Sequence, residues 1–140
     1  SLPGYLLTLE RVRPQLAYKG ITKNAKEKTT TLDNDFIQKT LNYIHENISE
    51  SELRVEVLAS KVFLSRSQLY RKLKTLTGVS VNEFIRNVRL EKANELIQLG
   101  NSNINEICYK VGFTSASYFT KCYKAKFGHL PTQKGKIDDN

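Results

Sequence analysis

Residues 55–78 and 104–128 carry one pattern twice, and no other feature restricts the fold of this chain so strongly. Val55, Leu58, Ala59 and Val62 recur 49 positions later as Ile104, Ile107, Cys108 and Val111. Their i, i+3, i+4, i+7 spacing is the apolar stripe of a helix packed on one side. The segment that follows repeats at an offset of 50. It pairs Ser65 with Ser115, Ser67 with Ser117, Leu69 with Phe119, Arg71 with Lys121, Leu73 with Tyr123, Lys74 with Lys124 and Gly78 with Gly128. The offset changes in the turn between the helices, where Gly112 is placed to supply the extra bend. A short helix, a tight turn and a capped basic helix make the pattern of a helix-turn-helix. Two matched copies are a far more specific signal than one.

The rest of the chain reads in the same terms. Asp33 or Asn34 is expected to cap a first helix with Ile37, Leu41, Ile44 and Ile48 on its inner face. Ser65 and Gln68 form a capping box that opens a helix burying Leu69, Leu73 and Leu76, and Gly78 follows its last turn. Ser80 and Glu83 form another box. It starts the longest helix, 81–99, whose apolar positions are Val81, Phe84, Ile85, Val88, Ala93, Leu96 and Ile97. Asn103 with Glu106 begins a fifth helix, and Ser115 a sixth that buries Phe119, Tyr123 and Phe127 before Gly128 and Pro131 stop it. No segment from 32 to 128 alternates as a strand would. The expected fold class is all-α: two helix-turn-helix units joined by a long linker helix. The domain is expected at 33–131, after a linker or remnant of an upstream region at 1–32 and before a C-terminal tail at 132–140.

Charge points to the partner. The 140 residues hold 22 Lys and Arg against 14 acids, a net charge of +8, which favours a polyanion. The third helix (65–75) carries Arg66, Arg71, Lys72 and Lys74 without an acid; the sixth (115–127) carries Lys121, Lys124 and Lys126 without one. Acids gather instead in the first helix and the loop after it, at Asp33, Asp35, Glu46, Glu50 and Glu52. A major groove about 12 Å wide admits a helix. The linker helix spans roughly 28 Å at about 1.5 Å per residue, near the ~34 Å of one duplex turn. One monomer can then set both basic helices on one face of double-stranded DNA, at an asymmetric site.

Other classes find little support. No run of about 18 apolar residues exists, so membrane contact is not expected. The opening SLPGYLLTL lacks the basic start of a secretory signal. Two cysteines, Cys108 and Cys122, with no CxxC and no nearby His pair, point to a reducing, cytoplasmic setting and to no structural zinc. His45 and His129 have no acid or nucleophile at useful spacing. No phosphate-cradling glycine loop, paired carboxylates or nucleotide fingerprint occurs. Catalytic residues, metal and cofactor are accordingly not expected. The rival readings are a helical protein–protein adaptor whose basic faces meet an acidic partner, and an enzyme with an accessory domain of this kind, which needs a reactive cysteine.

The block Leu58-Ala59…Ser65-Arg66-Ser67-Gln68-Leu69-Tyr70-Arg71-Lys72-Leu73-Lys74…Gly78 resembles the first half of an AraC/XylS-type DNA-binding domain. Phe84-Ile85…Arg89-Leu90…Ala93…Leu96 resembles its linker helix. Ile104…Glu106-Ile107…Val111-Gly112-Phe113…Ser115…Ser117-Tyr118-Phe119…Tyr123-Lys124…Phe127-Gly128…Pro131 is similar to the family's signature. The likeness spans about 100 residues and is greatest to the output domains of hybrid two-component regulators. It implies a non-enzymatic, cytoplasmic bacterial transcription regulator with an upstream sensor or receiver domain and RNA polymerase as a further partner. Whether it activates or represses depends on where its site lies. Carried over by position, the base-reading residues are Ser67, Tyr70 and Arg71 in the first unit and Ala116, Ser117, Thr120 and Lys121 in the second. The Arg71 guanidinium either forks onto guanine O6 and N7 or only touches phosphate. The backbone contacts expected are Ser65, Arg66, Lys72, Lys74, Arg86, Ser115 and Lys124. Three departures stand out: Cys108 where Ala is usual, Tyr123 where Phe is usual, and Thr132-Gln133-Lys134-Gly135-Lys136 in place of an aromatic–Arg pair on a short seventh helix. The Tyr123 hydroxyl needs a partner or a path to water.

Overall fold

A computed structural model describes residues 31–100 and 103–133. Its elements are α1 (Thr31–Glu46), α2 (Val55–Lys61), α3 (Arg66–Thr77), α4 (Val81–Gln98), α5 (Ile104–Lys110), α6 (Ala116–Phe127) and a 3-10 turn at Pro131–Gln133. Among the described residues there is no strand, and two helix-turn-helix units, α2–α3 and α5–α6, are joined by α4. Residues 1–30, read as linker or remnant, and the tail beyond Gln133 lie outside the described residues. The described residues pack as two compact units, one of those up to Asn47 with Leu53–Val88, the other of Ile48–Glu52 with those from Arg89 onward.

In the first unit α1 starts at Thr31, earlier than its expected caps, so Asp33 and Asn34 sit in its first turn. Asp33 pairs there with Lys72 of α3, 3.3 Å away. Ile37, Leu41 and Ile44 are buried as their spacing requires, with Leu58, Ala59, Leu69, Leu73, Val81, Phe84 and Val88. Ile48 departs from that stripe: α1 ends at Glu46, and Ile48 packs against the core of the second unit. The Ser65 hydroxyl accepts from the Gln68 amide at 3.1 Å and the Gln68 side chain accepts from the Ser65 N–H at 2.8 Å, completing the capping box. Gly78 closes α3 in the left-handed region at φ 81°. Ser80 caps α4 by accepting from the Glu83 N–H at 3.1 Å.

The core of the second unit is Leu90, Ala93, Ile97, Ile107, Cys108, Val111, Phe113, Phe119 and Tyr123. Asn103 caps α5 through the Glu106 N–H, and Ser115 caps α6 through the Tyr118 N–H. Tyr123, wholly buried, donates its hydroxyl to Asn94 Oδ1 at 3.0 Å, the partner its burial demands. Arg89 is buried too, at 6% exposure. Its guanidinium donates to the Ile48 carbonyl, to Val111 O at 2.6 Å and to Glu50 O at 2.7 Å. No carboxylate among the described residues pairs with it, and burial pushes its pKa down. Three carbonyl dipoles stand in for a counter-ion and tie segment 48–52 to the end of α5.

The two turns are the same motif. Phe63 N–H reaches Ser60 O at 3.1 Å and Leu64 N–H reaches Ala59 O at 2.9 Å; Gly112 and Phe113 repeat both bonds to Tyr109 O and Cys108 O at 3.1 and 3.0 Å. Phe63 (φ 60°) and Gly112 (φ 95°) each hold the left-handed bend. Gly112 therefore does not account for the change in offset; the additional residue is Thr114, between Phe113 and Ser115. Glycine is required at 112 for another reason. A Cβ there would fall on the Arg89 guanidinium and lie 2.5 Å from the Ile48 carbonyl oxygen.

Candidate nucleic-acid interface

Burying Leu69 and Leu73 on one side of α3 turns Ser67, Tyr70, Arg71 and Lys74 outward as a single stripe, and all but the half-buried Tyr70 are exposed. Burying Phe119 and Tyr123 does the same on α6, where Ser117, Thr120, Lys121 and Lys124 occupy the equivalent positions. Ala116 and Thr120 are partly covered and Ser117 is exposed. Neither helix contains an acid. Among the described residues no ion pair engages Arg71, Lys74, Lys121 or Lys124, so their charge is open to a ligand. Both helices open on a serine cap, which leaves backbone N–H groups and the positive end of the helix dipole beside the stripe.

Other expected contacts are placed differently. Lys72 lies off the stripe, paired with Asp33 and with its ammonium 5.2 Å from the Phe36 ring centroid. Arg86 is half-buried on α4, within the first unit. Arg66 is exposed but engaged: Nη1 bonds Glu56 Oε2 at 3.2 Å, and Nη2 donates to the Tyr70 hydroxyl at 3.2 Å. Its guanidinium carbon sits 5.4 Å from the Tyr70 ring centroid. Chiefly through the Tyr70 bond, and also through Glu56, its pKa is raised. Arg66, Ser67 and Tyr70 line a shallow depression beside the cap of α3. Glu56 escaped the sequence reading because only the fold brings α2 against the start of α3.

Each stripe by itself offers open positive charge to a polyanion. Among the described residues no three His, Cys, Asp or Glu side chains converge as a metal site would need, and no helix is long and apolar enough to cross a membrane. Cys108 is buried and its pKa is raised by that burial, which disfavours the thiolate a reactive cysteine requires.

The fold has counterparts among known proteins. A family model described as "Helix-turn-helix domain" matches residues 58–136. Histidine kinase P4 of Formosa agariphila is a relative with 31% identity; the match covers 85% of this chain but only 9% of that protein, so the chain corresponds to a small part of it. The C-terminal domain of AraT, a response regulator from Geobacillus stearothermophilus, superposes with a TM-score of 0.64 at 27% identity, covering 79% of this chain and 88% of that one. A transcriptional regulator from Chromobacterium violaceum, described as of the AraC-type DNA-binding class, gives 0.67 at 27% identity over 72% and 89%. The family match runs from within α2 past the end of α6 and so takes in both basic helices: the chain belongs to the AraC-type helix-turn-helix family of DNA-binding transcription regulators.

Proposed function

We propose that this chain is the DNA-binding output domain of a cytoplasmic bacterial regulator, and that α3 and α6 enter successive major grooves of one duplex. The equivalence of the two outward stripes carries this reading: the same four positions on each helix are turned away from the core, and the cations among them have no acid on their own helix. Ser67, Tyr70, Arg71, Ala116, Ser117, Thr120 and Lys121 then face base edges, where Arg71 has the fork geometry that suits guanine. Lys74, Arg86 and Lys124 meet phosphates, as do the N-termini of α3 and α6 at Ser65 and Ser115. Arg66 and Lys72 join them only by exchanging the carboxylates that now hold them.

The domain makes and breaks no bonds. It places a larger protein on a promoter, where other surfaces meet RNA polymerase. An upstream sensor or receiver domain fits this role, supported by the likeness to a response-regulator domain and to part of a histidine kinase. Selection of random duplexes by this chain at roughly 100 mM salt, where backbone-only binding is weakened, tests the proposal. Two enriched motifs about 10–10.5 base pairs apart are the expected result. One motif would mean that a single helix reads bases. No binding at any salt overturns the reading and leaves the basic faces to an acidic protein partner.

A further inference from the structure

Glu56 stands where a ligand for the first unit would arrive, and nothing in the DNA reading explains an acid there. It lies in the first turn of α2, exposed, with its carboxylate 3.2 Å from the Arg66 guanidinium at the start of α3. The Tyr70 hydroxyl takes the other side of the same guanidinium, so both of its terminal nitrogens are occupied. The second unit is an internal control. Position for position it has Asn105, Ala116 and Thr120 where the first has Glu56, Arg66 and Tyr70. The whole triad is confined to one copy.

We propose that Glu56 is a charge gate on Arg66: it holds the guanidinium in the free protein, and a phosphate gains that cation only by displacing the carboxylate. The inference rests on the proposed DNA interface and deepens it. Because a phosphate looks the same in every sequence, the gate weakens binding to all duplexes alike. Its size is bounded, since an exposed pair is a weak one; both partners here are more than half exposed. The second unit, without arginine or acid at these positions, binds backbone ungated.

The test is a double-mutant cycle on the full chain, read by anisotropy titration of a random-sequence duplex at fixed salt. The proteins are the parent, Glu56→Gln, Arg66→Gln, the two combined, and Glu106→Gln as an acid in the first turn of α5. Glutamine keeps the shape of an exposed glutamate, and matched thermal melts check that the fold is intact. The expected result is that Glu56→Gln tightens binding about two- to fivefold, the range an exposed ion pair can command. That gain disappears when Arg66 is already Gln, and Glu106→Gln gives a smaller one. If Glu56→Gln leaves affinity unchanged or weakens it, the gate is overturned while the DNA reading stands. It is equally overturned if the gain persists in the Arg66→Gln background, since Glu56 would then act only as one more negative charge. Failure of the parent to bind any duplex overturns the DNA reading, and the gate with it.

Discussion

Phe63 and Gly112 hold equivalent turn positions with φ of 60° and 95°, and they show how one backbone conformation can be met by opposite residues. A side chain at 63 projects into solvent, 88% exposed, so phenylalanine is tolerated despite a left-handed cost of about 1–2 kcal/mol. Asparagine adopts that region more readily, and no packing is lost with the ring. Phe63→Asn is therefore expected to stabilise the chain by about 0.5–1 kcal/mol in urea denaturation. At 112 the Arg89 guanidinium already fills the space of a side chain. Gly112→Ala is expected to cost about 3 kcal/mol or more, because Arg89 must give up carbonyls that then stay buried without a donor. Gly128 shares the left-handed geometry but has nothing within 4 Å of its Cβ position. Gly128→Ala should show backbone strain alone, about 1 kcal/mol. Equal losses at the two glycines would show that Arg89 yields freely.

At the scale of elements, α6 carries the clearest pH signal. Burial, with some help from Glu91, raises the Tyr123 hydroxyl to about 12 from an ordinary 10.0. The folded state thus keeps a proton that the unfolded chain loses, and the stability this confers is complete below pH 10 and disappears as pH rises towards 12. The amount at stake is of order 2 kcal/mol. Tyr123→Phe, which loses the bond to Asn94, should be less stable than the parent at pH 8, with the gap shrinking as pH rises from 9 to 11.5 in urea titrations. A constant gap would exclude titration of this group. What could be read from sequence follows the same line between local and distant causes. Caps at Ser65, Asn103 and Ser115, and the outward stripes of α3 and α6, depend on residues three to seven apart, so spacing reveals them. The fate of Ile48 and the burial of Arg89 depend on partners far along the chain; Arg89 reaches carbonyls 41 and 39 residues away. A lone arginine in a helix otherwise passes for part of a solvated face. The pairs Lys72–Asp33, Arg66–Glu56 and Lys126–Glu91 each join two different helices, which spacing along one helix does not reveal, and they separate the engaged cations of α3 and α6 from the open ones.

For the molecule as a whole, the proposed interface requires that each open cation on it release counter-ions when a duplex binds. Lys74→Ala and Lys124→Ala should each reduce the slope of log affinity against log salt by about 0.9, and together by about 1.8, since they lie in different units. A change with Lys74→Ala alone would mean that α6 stands off the duplex. The two units are also interleaved along the chain: segment 48–52 is contributed by the first half but belongs to the second unit. What Arg89 grips in that segment is main chain, the carbonyls of Ile48 and Glu50. Side chains there can vary without disturbing the grip, whereas inserting or deleting a residue would move the acceptors away. Relatives could therefore exchange the exposed residues 49–52 freely but not the length of the loop, and a chimera crossed once between the end of α3 and Arg89 would inherit that arginine and its loop from different parents.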